Sequence, residues 1–209
     1  MSITSKAYPA GMALYRSCVK TFFALGGLNI LKRKYKDIEE RTGEVSDIPE
    51  GSIWVHAVSV GEVQSASSLI RRIKSRSSYP CVISTVTPTG RDTAHRLLDG
   101  MADKIIYSPF DLGQFVSRSL DSIKPTAYIT METELWPEML SQLKARNIPA
   151  FLANGRISEK SFKSLKRTKY FWSGVLECLT KLMVRFNEDK SKFLALGVPE
   201  DKIIITGDC

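Results

Sequence analysis

Short apolar segments alternate with amphipathic segments along most of the chain, from Ser52 to Thr206. The apolar segments have the length of buried strands, and they occupy residues 52–58, 81–85, 104–107, 127–131, 150–153, 182–185 and 202–206. The segments between them carry apolar residues every three or four positions, which is the period of a helix with one buried face. This alternation predicts an α/β fold with a doubly wound parallel sheet and helices on both faces.

The composition is that of a globular protein, with 43% hydrophobic and 25% charged residues among 209. The chain carries 30 Lys and Arg against 22 Asp and Glu, a formal net charge of +8. A basic balance suits a nucleic acid, an anionic membrane surface or a phosphorylated substrate. Charge alone leaves all three partners open.

The cysteine and histidine content argues against a zinc site or a disulfide framework. The chain has 2 histidines and 4 widely separated cysteines without a Cys-x-x-Cys pair: His56, His95, Cys18, Cys81, Cys178 and Cys209. Structural zinc sites need several such ligands at close spacing. We therefore predict no metal site and no cofactor, and we expect His56 to be a satisfied core histidine.

Residues 8–31 are apolar but interrupted by the charges of Arg16 and Lys20. A membrane-spanning helix needs about 20 predominantly apolar residues, and the uncharged stretch 21–31 is too short. No small-residue cleavage site clearly follows, so a secretory signal is a poor fit. The pattern instead predicts an amphipathic helix, followed by the basic cluster Lys32, Arg33, Lys34 and Lys36.

Such a helix and cluster are suited to lie in an anionic membrane interface without spanning it. The alternative is a helix packed on the rest of the protein and followed by a solvated run of charges. Residues 37–51 are polar and contain Gly43, Pro49 and Gly51, so they are predicted to be a linker. The expected division is therefore a helix and linker over 1–50 and a Rossmann-like lobe over 51–209.

Polar loops follow four of the predicted strands, at 59–62, 87–91, 132–137 and 154–158. In a doubly wound sheet, binding sites form at these carboxyl ends. Glu62 can be a general base, or a first-turn carboxylate that complements the helix dipole. Because a helix N-terminus lowers a carboxylate's pKa, we expect Glu62 to be ionised but only weakly basic.

Glu132 and Glu134 follow the predicted strand 127–131. In an extended segment, residues two apart point to the same side, so both can serve acid–base chemistry in one site. The alternative is that one caps the next helix while the other is solvated.

The loop at 87–91 offers hydroxyls and backbone N–H groups that can bind an anion. Thr89 can equally be an ordinary helix N-cap, with Gly90 opening the turn. Arg156 can grip a phosphate or carboxylate by its planar fork, or it can pair with an acidic neighbour.

Taken together, these loops resemble the signatures of the 3-deoxy-D-manno-octulosonic acid (Kdo) transferases. The motifs are His-Ala-Val-Ser-Val-Gly-Glu at 56–62, Thr-Pro-Thr-Gly at 87–90, Met-Glu-Thr-Glu-Leu-Trp-Pro at 131–137 and Ala-Asn-Gly-Arg-Ile-Ser at 153–158. The preceding helix and the segments 193–197 and 205–207 match as well. The resemblance therefore covers essentially the whole chain.

The resemblance implies the N-terminal, acceptor-binding lobe of a two-lobed glycosyltransferase of the GT-B type. Such an enzyme moves Kdo from CMP-Kdo, bound by a C-terminal lobe, to the lipid A precursor lipid IVA in lipopolysaccharide biosynthesis. The transfer is inverting and metal-independent. Glu62 matches the general base, and Glu132 matches the glutamate that supports the transition state. Substrate contacts are expected from Ser59, Gly61, Thr87, Thr89, Gly90, Glu134 and Arg156.

The sequence departs from the family's pattern in two places. Family members are much longer, and they continue through a lysine-containing stretch into the whole donor lobe, so this chain alone is expected not to turn over. In addition, Val-Arg-Phe-Asn-Glu at 184–188 replaces a more usual Ala-Gln-Ser/Asn-Glu, so contacts made there can differ.

Two competing classes are another glycosyltransferase or sugar-nucleotide enzyme with the same lobe, and a basic nucleic-acid-binding module. The second lacks interleaved surface aromatic residues and a recognisable motif, so no nucleic-acid partner is predicted. The expected partners are the lipid A precursor, CMP-Kdo and an anionic membrane surface. The expected location is the cytoplasmic face of the bacterial inner membrane, as a peripheral or monotopic protein.

Overall fold

The computed structural model describes residues 3–35 and 37–208, with side chains from residue 7 onward. In this part of the chain, 7 parallel strands form one sheet in the order β3-β2-β1-β4-β5-β6-β7. The strands are β1 (Ile53–His56), β2 (Cys81–Thr85), β3 (Lys104–Tyr107), β4 (Ala127–Met131), β5 (Ala150–Gly155), β6 (Lys181–Val184) and β7 (Ile203–Ile205). The predicted doubly wound, Rossmann-like sheet is confirmed.

Helices connect the strands and precede them. They are α1 (Ile3–Phe22), α2 (Leu28–Lys34), α3 (Ile38–Arg41), α4 (Val60–Arg76), α5 (Pro88–Leu98), α6 (Gly113–Ile123), α7 (Pro137–Ala145), α8 (Glu159–Arg167), α9 (Lys169–Glu177) and α10 (Asn187–Ala195). A π-helical turn, Phe23–Gly27, joins α1 to α2, and Gly26 within it has a φ of 91°. The chain bends there because glycine accepts this left-handed conformation without a steric penalty.

Alternate strand residues enter two separate cores, one on each face of the sheet. Trp54 and Tyr128, paired across β1 and β4, contribute to the larger core together with residues of α6, α7 and α9. Val55 and Ile129 contribute to the other core, which α4 and α5 complete. The helices therefore cover both faces, as the alternation of the sequence predicted.

Some element boundaries differ from the prediction. The helix α4 begins at Val60, inside the predicted loop 59–62, so Glu62 lies in its first turn. The strand β5 extends to Gly155, so the first part of the predicted loop 154–158 belongs to the sheet. Between β5 and β6, two helices, α8 and α9, meet at Thr168.

The N-terminal amphipathic helix packs along the lobe on one side. Tyr8 lies so close to Gly174 of α9 that a Cβ at Gly174 would come within 2.3 Å of the Tyr8 ring. Arg16 pairs with Glu138 of α7 at 2.7 Å. The outward side still carries exposed apolar residues, namely Leu14, Phe22, Leu25 and, in α2, Ile30. The helix therefore packs on the lobe, as one of the two predictions stated. It also exposes the apolar surface that the other prediction, binding to a membrane interface, requires.

No helix in the described ranges 3–35 and 37–208 is long and apolar enough to cross a bilayer. Of the predicted basic cluster, Lys32, Arg33 and Lys34 lie at the end of α2. Lys36 lies outside the described residues.

The segment 37–51, predicted to be a linker, contains α3 and one of the most buried cations of the protein. Arg41 is 2% exposed, and its guanidinium carbon lies 4.6 Å from the ring centroid of Tyr35 and 3.9 Å from that of Tyr107. Its Nη2 donates to the carbonyl oxygen of Val86 at 2.8 Å. The linker prediction is wrong here because a polar composition does not reveal that a cation stacks between aromatic rings. A domain boundary at residue 50 stays a prediction.

Candidate active site

The predicted site loops meet at the carboxyl edge of the sheet. The strand β1 pairs with β2 on one side and with β4 on the other. The chain connections therefore diverge between β1 and β4, which leaves a crevice at their carboxyl ends. Glu62 follows β1, whereas Glu132 and Glu134 follow β4, and Arg156 follows β5. Glu132 and Arg156 both act on the pKa of Glu62, so the fold brings these three side chains together.

Two hydrogen bonds hold Glu62 at the end of β1. Its Oε2 accepts from the backbone N–H of Val58, and its Oε1 accepts from the Ser59 hydroxyl, both at 2.9 Å. Only 6% of Glu62 is exposed, and this burial raises its pKa although both hydrogen bonds lower it. The predicted lowering of the Glu62 pKa is wrong because desolvation outweighs the helix terminus. Glu62 is therefore a stronger base than the sequence indicated.

Glu132 and Arg156 form an ion pair at the crevice. The Nε of Arg156 donates to Glu132 Oε2 at 2.8 Å, and Nη2 lies 2.7 Å from the same oxygen. The Thr133 hydroxyl donates to the carbonyl oxygen of Arg156 and links the two loops. Of the two predicted roles of Arg156, pairing with an acidic neighbour is thus the one seen, whereas substrate binding stays a prediction.

Glu134 reaches the same site by a turn. Glu132 has a φ of 53°, so the segment after β4 is not extended, and the geometric premise of the paired-carboxylate prediction is wrong. Burial chiefly, and the charge of Glu62 in addition, raise the pKa of Glu134 to about 7. Trp136 faces Glu134 and lowers this pKa, although its indole N–H lacks a hydrogen bond of standard geometry. Glu134 therefore exists in both protonation states near neutral pH.

Thr87, rather than Thr89, caps the helix after β2. Its Oγ1 accepts from the Gly90 N–H at 3.0 Å and donates to the Val58 carbonyl at 3.1 Å. Thr89 lies within the first turn, because α5 already begins at Pro88. A Cβ at Gly90 would come within 3.0 Å of Val58 O. Thr87 and Gly90 thus hold the end of β2 against the end of β1, and their contact with a substrate stays a prediction.

Ser59 and Gly61 frame Glu62 in the chain. Ser59 is the N-cap residue of α4, but its hydroxyl caps no backbone N–H and binds Glu62 instead. A Cβ at Gly61 would meet no atom within 4 Å, so Gly61 leaves open space beside Glu62. Substrate contact by Ser59 and Gly61 stays a prediction.

His56 lies beneath the crevice and is only partly satisfied. Its Nδ1 is 2.9 Å from Ser84 Oγ, and its buried Nε2 has no hydrogen-bond partner within the described residues. Burial lowers the His56 pKa to about 4, so the ring is neutral. It stacks on Tyr128 and meets Trp136 edge to face. His56 is therefore a core histidine, as predicted, and it supports the loop that carries Glu134.

Asp111 is a site-supporting residue that sequence reasoning missed. It follows β3, yet its Oδ2 and Oδ1 accept the backbone N–H groups of Glu138 and Met139 at 2.9 and 2.8 Å. Asp111 thus caps α7 from another loop, where Trp136 offers no side-chain cap. A local cap signal could not reveal this contact, because the two loops are distant in the sequence.

Within the described residues, no group of three or more His, Cys, Asp or Glu side chains is placed to hold a metal ion. Metal independence stays a prediction. The groups that converge on the crevice are carboxylates, one guanidinium and hydroxyls, which are suited to acid–base chemistry on a sugar.

The parallel sheet with helices on both faces gives this lobe the Rossmann-like fold of a GT-B N-terminal lobe. Its fold is shared with UDP-GlcNAc 2-epimerase from Neisseria meningitidis, with a TM-score of 0.54 and 14% identity. The match covers 75% of this chain and 47% of that one. At this identity the likeness shows the fold alone.

The chain belongs to the 3-deoxy-D-manno-octulosonic-acid transferase (kdotransferase) family, whose model matches residues 36–209. A 3-deoxy-D-manno-octulosonic acid transferase from Haemophilus influenzae is 32% identical and is matched over 88% of this chain and 44% of its own length. Its counterpart from Rickettsia felis is 34% identical, over 78% of this chain and 36% of its own length. The predicted family is therefore confirmed, and the chain spans less than half of each of these relatives.

Proposed function

We propose that the protein containing this chain transfers Kdo from CMP-Kdo to the lipid A precursor lipid IVA. In this proposal the chain is the lobe that binds the acceptor, and CMP-Kdo is bound by a further lobe. The observation that carries the proposal is Glu62, a buried carboxylate with a raised pKa at the crevice between β1 and β4. Family membership supports Kdo as the transferred sugar.

Glu62 is the general base of the proposed reaction. An acceptor hydroxyl attacks the anomeric carbon of Kdo, and Glu62 takes the proton that this hydroxyl loses. The bond between the anomeric carbon and a phosphate oxygen of CMP breaks, and CMP leaves with the electron pair. Attack opposite the leaving group inverts the anomeric configuration. The leaving group is a monophosphate, so we propose that no diphosphate-bound metal is needed.

Glu132 and Arg156 support the same step. Positive charge develops at the anomeric centre of a glycosyl transition state, and a nearby carboxylate stabilises it. Arg156 orients Glu132 with two of its donors, and its side chain remains 54% exposed. Its remaining N–H groups can bind an anionic group of the substrate. Glu134, when protonated, can donate a hydrogen bond to a sugar hydroxyl.

The membrane-facing part of the proposal rests on the N-terminal helix. The side chains of Leu14, Phe22 and Leu25, in the helix and its break, are exposed apolar groups. The basic residues 32–34 follow at the end of α2. These features support a peripheral location on an anionic surface, which we propose is the cytoplasmic face of the inner membrane.

The test uses the full-length protein with lipid IVA as the acceptor. We expect transfer from CMP-Kdo and none from UDP-sugars, and we expect Glu62→Gln to reduce turnover by about 10²–10⁴. The matched control is Glu44→Gln, since Glu44 is a surface residue with a side chain 62% exposed. Near-normal turnover of Glu62→Gln would remove Glu62 from the mechanism.

We also propose that the 209-residue chain alone binds the acceptor but does not turn over. Calorimetry with CMP or CMP-Kdo tests this division directly. Micromolar binding of the nucleotide to the chain alone would place the donor site in this lobe and would contradict the proposal.

A further inference from the structure

A mostly apolar groove of about 690 Å³ lies between the N-terminal helix and the lobe. This volume is within the range of small-molecule sites, about 300–1,000 Å³. One wall is formed by residues of α1 and the following break, and the other by residues 111–115, which follow β3, with Glu138 in the first turn of α7. Because α7 begins directly after the loop 132–136, the groove lies at the same edge of the sheet as the candidate active site.

The floor of the groove is hydrophobic and well packed. Phe23 meets Phe115 edge to face at 5.3 Å between ring centroids, and it lies 6.0 Å from Phe110. Val19 and Leu112 complete the apolar lining near these rings. Such a surface favours a hydrocarbon over a polar ligand.

Neither carboxylate that lines the groove is left unpaired. Asp111 accepts a hydrogen bond from Tyr15 in addition to the two N–H groups of α7. Glu138 is bound by Arg16 and by the side-chain amide of Gln142. An apolar chain can therefore occupy the groove without stripping water from an unpaired charge, which would be costly.

A cationic side chain, that of Lys20, lies at the rim of the groove. Lys20 lines the groove and is exposed, and no carboxylate of the described residues lies within ion-pair distance of it. The lining of α1 and the following break runs from Arg16 to Leu28, a span of at most roughly 18 Å at 1.5 Å per residue because the chain bends at Gly26. One acyl chain extends about 15 Å, since two opposed chains make a hydrocarbon core of about 30 Å. The groove thus has the length and the charged rim that suit an acyl chain with an anionic headgroup.

We infer that this groove binds one acyl chain of the lipid acceptor, with a headgroup phosphate near Lys20. This inference rests on the proposed function and adds the part of the acceptor that the groove recognises. The acceptor is favoured over a bulk membrane lipid as the occupant, because the groove lies at the same edge of the sheet as Glu62. A chain seated there keeps its sugar headgroup at the edge where transfer takes place.

The test measures binding of lipid IVA, shorter-chain analogues and the fully deacylated acceptor to the 209-residue chain. Each buried methylene should strengthen binding by up to about fourfold until the groove is filled. Ala24→Trp fills the groove from the helix side and Gln114→Trp from the opposite wall; Ala24 and Gln114 are exposed residues. Each should weaken binding of lipid IVA at least tenfold and leave binding of the deacylated acceptor unchanged.

The matched control is Thr21→Trp, which adds the same side chain at an exposed position of α1 outside the groove. It should bind lipid IVA like the unmodified chain. Circular dichroism is used to check that each variant folds. Because the two tryptophans lie on opposite walls of the groove, a local folding defect at one position would not explain a loss of binding in both variants.

Lipid IVA binding that is insensitive to chain length and to both groove variants would overturn the inference while leaving the proposed function intact. If the variants instead weaken only binding to phosphatidylglycerol vesicles, the groove holds a membrane lipid, and the inference is again wrong. Failure of the chain to bind the acceptor in any form would contradict the proposed function and the inference with it.

Discussion

The Tyr15 hydroxyl donates a hydrogen bond of 2.7 Å to Asp111 Oδ2. Asp111 is the same carboxylate that caps α7 through the N–H groups of Glu138 and Met139. One buried group therefore joins the N-terminal helix to the element that follows the Glu132–Glu134 loop. The helix that we propose to lie on the membrane and the candidate active site are linked by this contact.

Tyr15→Phe should destabilise the protein by about 1.5–3 kcal/mol near neutral pH, because a hydrogen bond to a charged group is lost. Urea unfolding followed by tryptophan fluorescence measures the change. Tyr79→Phe is the matched control, since Tyr79 is 51% exposed and should change stability little. Equal effects of the two substitutions would show that the contact with Asp111 contributes nothing.

The cost of Tyr15→Phe should also depend on pH. Burial raises the pKa of Asp111 from 3.8 to about 6. Because the folded-state pKa is raised, the proton on Asp111 stabilises the fold fully below about pH 4, and this contribution is lost as pH rises through 6. The Tyr15 hydroxyl favours the charged carboxylate and opposes that loss. The substitution should therefore cost more at pH 8 than at pH 4, and an equal cost at both would contradict this coupling.

Substitutions of Glu132 and of Arg156 should move the acid limb of the pH profile of kcat/KM in opposite directions. In the proposed mechanism, transfer needs the ionised form of Glu62, so activity should fall as pH drops through the raised pKa of Glu62. The charge of Glu132 raises this pKa, and the charge of Arg156 lowers it. Glu132→Gln should shift the limb to lower pH, and Arg156→Gln should shift it to higher pH.

These shifts are measured in the full-length enzyme, where both variants are expected to lose activity as well. The position of the limb distinguishes an electrostatic effect on the base from a general loss of structure. A limb that stays in place in both variants would mean that another group controls the profile.

Gly61→Ala and Gly90→Ala should have opposite effects on stability. A Cβ at Gly61 meets open space within α4, so alanine should stabilise by about 0.5–1 kcal/mol. A Cβ at Gly90 would crowd Thr87 Oγ1 at 2.9 Å and Val58 O at 3.0 Å, so alanine should destabilise by about 1–3 kcal/mol.

Kinetics separate the two glycines further. In Gly61→Ala, the alanine methyl group would enter the open space next to Glu62. The variant should therefore have a raised KM for the acceptor, although the protein itself is more stable. An unchanged KM would show that the acceptor does not approach Gly61. Thermal unfolding and steady-state assays on the same two preparations provide both readouts.

Replacing the outward apolar residues of the N-terminal helix should release the protein from anionic vesicles. In the triple variant Leu14→Ser, Phe22→Ser and Leu25→Ser, the side that packs on the lobe is untouched, so the fold should persist. Vesicle sedimentation at increasing salt measures the loss. The matched control is Ile204→Ser with Ile205→Ser, at the exposed β7 edge. Vesicle binding that survives the triple variant would place the membrane contact on another surface of the lobe.

Much of the architecture could be predicted because it depends on local periodicity. The alternation from Ser52 to Thr206 indicated the parallel sheet, and each polar loop lies at the predicted carboxyl edge. The N-terminal charges Arg16 and Lys20 correctly indicated an amphipathic helix. The motif Met-Glu-Thr-Glu-Leu-Trp-Pro pointed to the family that the comparisons then confirmed.

The chemistry of the site could be predicted only in part. The sequence placed Glu62 at a helix N-terminus, but the direction of its pKa shift depends on how deeply the folded lobe buries it. It left Arg156 with two roles, and the ion pair with Glu132 became evident only when β4 and β5 were seen side by side. The capping role belongs to Thr87 and not to Thr89, because the first turn begins two residues earlier than the motif suggested.

By itself, then, the sequence determined the succession of strands and helices along the chain, the edge of the sheet at which the site forms and the family. Only the tertiary structure decided that Arg41 is buried between aromatic rings and that Asp111 joins Tyr15 to α7. The physical reason is that periodicity and turn preference act between neighbours in the chain. Desolvation and charge pairing instead depend on groups that folding brings together from distant segments.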